Sequence, residues 1–227
     1  MTFYPGGKKR LGFEIAERIT SYSLTYNLSK ITSYYEPFCG MLGVYRYIPD
    51  LLQVNKYYAS DQNKNVITLW EALQRGWKPP TDPCSKSTYQ HDKETNNKSL
   101  RSIFYGFACS YRGDFRSGYF DKNNIETQAL DCVEIGQSLS MVNFSCGSFS
   151  DYSPKGCIIY CDPPYRNTKN NYYDKNKRNS HFDYDAFISW CRDMSHYNLI
   201  FISEYSKPCK EAKLIWSNGK EKLYVLE

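Results

Sequence analysis

The order of elements across residues 31–76 constrains this chain more than any other feature. A β-prone run, Ile31 to Glu36, passes into the glycine-punctuated stretch Glu36-Pro37-Phe38-Cys39-Gly40-Met41-Leu42-Gly43. The glycines permit a tight turn, and the helix after them must stop by Pro49, because proline lacks a backbone donor and restricts the residue before it. A second strand, Tyr57 to Ser60, is closed by Asp61. Val66, Leu69, Trp70 and Leu73 then recur at helical spacing before Gly76. Strand, glycine turn, helix, strand, acid is the outline of a nucleotide-binding βαβ unit.

The same rhythm continues on both sides of an interruption. Ahead of the unit, Leu11, Ile15, Ala16 and Ile19 predict a helix. From Gly76 to Asn97 the chain is polar and proline-rich, which marks an insertion; Leu100, Ile103, Phe104 and Phe107 then form one helical face. Strands resume at Val142–Cys146 and Cys157–Cys161, followed by a helix from Phe182 to Met194 and a strand over Asn198–Tyr205. A hairpin across the turn Ser217-Asn218-Gly219-Lys220 ends the sequence. The predicted fold is α/β: a Rossmann-like sheet, mostly parallel with an antiparallel edge hairpin, formed by residues 1–76 and 141–227, with residues 77–140 as a small inserted lobe.

Composition narrows the classes. With 227 residues, 41% of them hydrophobic, the chain has one substantial core and an appendage. Its nine cysteines include no Cys-x-x-Cys pair and there are only three histidines, so neither a disulfide framework nor a metal site is expected. Cys157 and Cys161 lie in a strand whose period of two turns both to one buried face. No apolar stretch approaches the length of a membrane span, and the N-terminus lacks the apolar core of a signal peptide, so a soluble, intracellular protein is expected. The net charge of +5 is compatible with a polyanionic partner but decides nothing. Its distribution says more: Arg166, Lys169, Lys175, Lys177 and Arg178 face a single acid, Asp174, in a segment whose charge suits phosphates.

That basic segment follows Asp162-Pro163-Pro164-Tyr165, which stands directly after a buried strand. The exocyclic amine of adenine is a poor nucleophile because its lone pair is delocalised into the ring. Acceptors that draw its two hydrogens out of the ring plane restore reactivity. The Asp162 carboxylate and the Pro163 carbonyl supply two such acceptors, Pro163 and Pro164 stiffen the turn, and Tyr165 offers a flat face for a flipped base. Within the insertion, Tyr111, Arg112, Arg116 and Tyr119 mix guanidinium and aromatic groups suited to guanine edges and phosphates; the alternative is a solvated turn.

YPGGK at 4–8, EPFCGMLGV at 36–44, SDQN at 60–63, DPPY at 162–165 and ISEY at 202–205 occur in the order found in Dam-type (D12 class) DNA adenine-N6 methyltransferases. The chain resembles the short bacteriophage forms of that family over nearly its whole length. The resemblance implies a methyltransferase sheet, S-adenosyl-L-methionine as cofactor, no metal, double-stranded DNA as substrate and a target-recognition lobe where the insertion lies. It also implies action inside the cell, at the nucleoid. It places Tyr4, Lys8, Glu36, Phe38, Gly40, Ser148, Phe149 and Asp162 near the cofactor, with Asp61 on the ribose hydroxyls. Tyr111, Arg112, Arg116, Lys169 and Lys175 are the candidate DNA contacts. One departure stands out, since the common Phe-x-Gly-x-Gly is here Phe38-Cys39-Gly40-Met41-Leu42-Gly43, the second glycine displaced by one. Taken singly, Glu36 reads equally as a helix-cap acid, Asp61 as the N-cap of the next helix and Lys8 as a solvated charge. The expected function is site-specific methylation of N6 on a flipped adenine. The alternatives are N4 of cytosine, which poses the same electronic problem, and a catalytically silent DNA-binding relative.

Overall fold

The computed structural model describes residues 7–26, 31–166 and 182–227. Helix α1 (Gly12–Thr25) precedes strand β1 (Ser33–Glu36). A 3-10 turn over Tyr45–Tyr47 and the short α2 (Ile48–Leu51) lead to β2 (Lys56–Asp61) and α3 (Lys64–Gln74). Helices α4 (Lys86–Glu94), α5 (Leu100–Ala108) and α6 (Ile125–Gly136) come next. Then follow β3 (Val142–Cys146), β4 (Cys157–Cys161), α7 (Tyr184–Ser195), β5 (Leu199–Glu204), β6 (Lys213–Asn218) and β7 (Glu221–Leu226).

All seven strands join one sheet in the order β3-β2-β1-β4-β5-β7-β6. Neighbours from β3 through β5 run parallel, while β7 is antiparallel to both β5 and β6. The hairpin is therefore folded back so that β7 lies inside the sheet and β6 forms the edge. Strand order reverses between β1 and β4, and at such a switch point the chain leaves the two strands in opposite directions and opens a crevice at their carboxyl ends. Glu36 ends β1 there, and Asp162 follows β4.

Alternation along the strands separates two cores. Tyr34, Ile158, Tyr160, Leu199 and Phe201 face α1, α3, α5 and α6, whereas Tyr35, Ile159, Ile200 and Ile202 face α7 through Phe187, Trp190 and Cys191. Cys157 and Cys161 both lie on the α7 side, as the period of two requires.

Two expectations are corrected. Pro49 does not end a helix; it sits in the first turn of α2, where its missing N–H has no partner to lose. Helix α4 was not legible in the polar insertion, because its buried residues are only Tyr89 and Asp92 and its start is set by the Ser85 cap, which accepts from the Thr88 N–H at 3.1 Å. Residues 77–140 pack onto the core of the sheet domain. Phe104 and Phe107 of α5 and Cys132 and Ile135 of α6 are buried in the same cluster as Trp70 of α3. Asp131 of α6 is also held by Arg46 at 3.0 Å and Lys9 at 2.7 Å, which fastens the insertion to the glycine-turn region.

Candidate active site

The catalytic turn is built from strand ends. Buried β4 delivers Asp162 to the crevice, and both of its carboxylate oxygens accept from the Lys8 ammonium, at 2.6 and 2.8 Å. Lys8 is only 7% exposed, so it is an interior ion-pair partner and not a solvated charge. Gly43 explains how it gets there: a Cβ on Gly43 would stand 2.9 Å from the Lys8 nitrogen and 3.1 Å from its Cα. Gly12 is pressed in turn against the Gly43 carbonyl, 1.8 Å from where its own Cβ would be. The displaced glycine thus serves close packing between the glycine turn and the Lys8 segment.

Tyr165 is fixed from three sides. Its hydroxyl donates to Glu221 of β7, its ring meets Tyr205 edge-on with centroids 4.6 Å apart, and the Lys8 nitrogen lies 4.8 Å from its centroid. Burial raises the phenol above its ordinary range, which keeps it a donor. Immediately beyond, the Arg166 N–H donates to Glu204 at 2.9 Å. Glu204 also accepts from the Tyr184 hydroxyl at 3.1 Å and the Tyr205 N–H at 2.7 Å, so this buried carboxylate pins the exit of the turn to β5 and α7. Pro163 and Pro164 lie between the anchored Asp162 and Tyr165.

Glu36 is 2% exposed and accepts from the Tyr34 hydroxyl at 2.7 Å. Burial pushes its carboxyl up to about 8, the charge of Asp162 adds to the rise, and the Tyr34 hydrogen bond opposes it. The group is therefore largely protonated at neutral pH. It caps no helix.

At the end of β2, Asp61 accepts from the Gly40 N–H at 3.0 Å through one oxygen and from the Asn63 N–H at 2.8 Å through the other. Burial raises its carboxyl, and these two bonds counter the rise. The cap of α3 is Asn63, which accepts from Asn65. Asp61 thus closes the glycine turn onto the second strand, and Gly40 takes a φ of 43° that favours glycine. The Trp70 indole donates to the Gly40 carbonyl at 2.8 Å and holds the turn from below. Phe38 packs on Phe149, Phe182 and Phe187. The Ser148 N–H is taken by Asp151 at 2.7 Å in a capping box.

The expected DNA contacts divide. Tyr111 is 54% exposed, and Arg112, also exposed, lies over its ring at 5.5 Å with a left-handed φ of 56°. Arg116, expected among the DNA contacts, is 7% exposed and its guanidinium is bonded within the protein. Its guanidinium donates to the Asn97 carbonyl, to Ser102 Oγ at 2.7 Å and to Asn96 Oδ1 at 3.2 Å, and burial lowers its pKa. Tyr119 also turns in, donating to the Cys84 carbonyl at 2.9 Å. Tyr4, Lys169 and Lys175 lie outside the described residues. Among the described residues no His/Cys/Asp/Glu cluster could hold a metal, and no helix is long and apolar enough to cross a membrane.

Glu204 and Glu221 were missed as site residues. Glu204 had a signal, a carboxylate ending the otherwise apolar run Leu199–Ser203; Glu221 had none, because only the hairpin's return brings it to Tyr165.

The Rossmann-like sheet thus carries an Asp-Pro-Pro-Tyr turn at its switch point. Residues 4–135 and 105–227 match the D12 class N6 adenine-specific DNA methyltransferase family. The chain belongs to that family and is a site-specific DNA methyltransferase acting on adenine N6. Among solved structures it is similar to the rRNA methyltransferase AviRa from Streptomyces viridochromogenes, with 10% identity, 94% of this chain and 84% of that one covered, and a TM-score of 0.45. No curated protein matches it.

Proposed function

We propose that the enzyme takes its methyl group from S-adenosyl-L-methionine and receives a flipped adenine of double-stranded DNA at the Asp162–Tyr165 turn. The observation that carries this reading is the placement of Asp162: a carboxylate at the switch point, beside a ring anchored through its hydroxyl. Asp162 and the Pro163 carbonyl accept the two hydrogens of the base amine, and Tyr165 stacks on the base. As N6 bonds the methyl carbon, the C–S bond of the donor breaks with its electron pair left on sulfur, and the proton that N6 sheds passes to solvent. Catalysis is then mainly a matter of position and of acceptors aimed at the developing charge.

The donor set fits the cofactor. Each Asp61 oxygen accepts one backbone N–H and retains capacity for a ribose hydroxyl, Gly40 keeps the turn free of side chain, and Phe38 and Phe149 give an apolar wall. When bound, S-adenosyl-L-methionine supplies an electrophilic methyl on a positively charged sulfur. Protonated Glu36 is poised to ionise beside that charge. Lys8 and Ser148, carried over as cofactor residues, engage protein carboxylates: Lys8 holds Asp162, and Ser148 closes its own turn through Asp151. Tyr111 and Arg112 are the outward groups offered to DNA, with Arg166 beside the turn.

The test pairs calorimetric titration with S-adenosyl-L-methionine and nucleoside analysis of DNA after reaction. Saturable binding with N6-methyladenine as product is expected. N4-methylcytosine instead, or no cofactor binding, would overturn the reading.

A further inference from the structure

The Lys8 ammonium occupies the place that the base amine needs. It donates to both oxygens of Asp162 at 2.6 and 2.8 Å, and it lies 4.8 Å from the centroid of the Tyr165 ring, the stacking platform. Amine and ammonium present the same kind of donor to the same carboxylate. The ammonium stands over the ring on which a base would stack, so an adenine that reaches Asp162 across Tyr165 displaces Lys8 from at least one oxygen.

An ammonium this deeply buried needs another acceptor when it moves, because leaving it uncompensated is strongly unfavourable. Among the described residues, four carboxyl groups bear on the turn. Asp162 is the one being vacated, and Glu36 is held largely neutral by burial and bonded to Tyr34. Both Glu204 oxygens hold the Arg166, Tyr184 and Tyr205 donors. Glu221 remains, with Oε1 3.9 Å from the Lys8 nitrogen and the side chain 11% exposed. A side-chain swing of about 1 Å brings that distance to ordinary hydrogen-bond length. The Gly43 contact holds the Lys8 backbone, so the motion falls to the flexible four-carbon stem.

We infer that Glu221 is a positioning residue that receives the Lys8 ammonium when a flipped base takes Asp162. This rests on the base-amine reading of Asp162 proposed above. By accepting the Tyr165 hydroxyl as well, Glu221 keeps the platform in place during the exchange.

The experiment compares the full-length wild type, Glu221→Gln, Lys8→Met and the double variant. After the methylated site has been mapped, each protein is titrated with two duplexes that differ only at the target position, one carrying adenine and the other purine, which lacks the amine. The wild type is expected to bind the adenine duplex at least tenfold more tightly. Glu221→Gln should reduce that preference to within threefold, because Lys8 then stays on Asp162. Removing Lys8 in the double variant should restore it, an outcome that a merely structural role for Glu221 does not produce. Glu221→Ala gives the same readout if the amide disturbs the hairpin. Retention of the preference in both Glu221 variants, or a double variant as defective as the single one, would overturn the inference. So would a wild type that methylates adenine yet binds both duplexes alike. A wild type that forms no N6-methyladenine would instead sink the underlying reading of the site.

Discussion

Gly43 bears directly on the backbone of Lys8, with 2.9 Å between the position of a Cβ and the Lys8 nitrogen. The neighbour on the other side cannot yield, since Gly12 already touches the Gly43 carbonyl. Gly43→Ala should therefore displace the Lys8 segment, lower stability by about 1–3 kcal/mol and slow methyl transfer. Denaturant titration and single-turnover rates check this; a variant indistinguishable from wild type in both would show that the Lys8 segment shifts without consequence.

Asp162→Ala removes the acceptor for the base amine and should cost on the order of a hundredfold or more in rate. It also strips Lys8 of its closest partner. A loss of stability on the order of a few kcal/mol is expected, softened by Glu221 and by the partial exposure of the pair. Wild-type-like turnover would remove this aspartate from the chemistry, whereas unchanged melting would contradict the ion pair alone.

The Glu36 carboxyl is raised by burial from 4.5 to about 8. Its neutral form therefore contributes stability that is fully present below pH 4.5 and is lost as pH rises to about 8. Glu36→Gln keeps an acceptor for Tyr34 and cannot ionise. Its stability relative to wild type should rise by on the order of a few kcal/mol across that window. Parallel pH profiles for the two proteins would show that Glu36 ionises normally.

Arg112 and Arg116 should separate cleanly. Arg112→Ala should relax preference at one position of the recognition site by roughly 1–3 kcal/mol if the guanidinium reads a base, or weaken binding evenly and flatten its salt dependence if it contacts phosphate. Arg116→Ala should instead lower stability by about 1–3 kcal/mol, because it empties bonds to Asn97 and Ser102, and leave sequence preference unchanged. Methylation mapped on random-sequence DNA distinguishes the outcomes, and altered preference in Arg116→Ala with normal melting would reverse the assignment.

The strands were legible because they follow from local pattern. The period of two in Cys157–Cys161 fixes both its faces, and a charged residue directly after such a run marks the crevice. What the sequence hides is non-local. Arg112 and Arg116 share a chemistry and a glycine-flanked segment, yet only the packing of Arg116 over Phe115 at 4.9 Å and beneath Asn96 and Asn97 decides which one turns inward. Glu221 acquires its role because β7 enters between β5 and β6, a pairing with no local sequence mark. Helix α4 escaped because solvent faces most of it and hydrophobic periodicity has little to report there.

The shared burial of α5 and α6 with Trp70 limits how the 77–140 segment can be exchanged. A segment grafted from a relative would arrive with half of a jigsaw cut for another partner, and the recipient would lose packing. The turn between Ser110 and Tyr119 differs from one side to the other: Phe115 and Arg116 pack inward, while Tyr111 and Arg112 stand at its outer edge. Point changes at that outer edge are the ones the packing of the segment tolerates best.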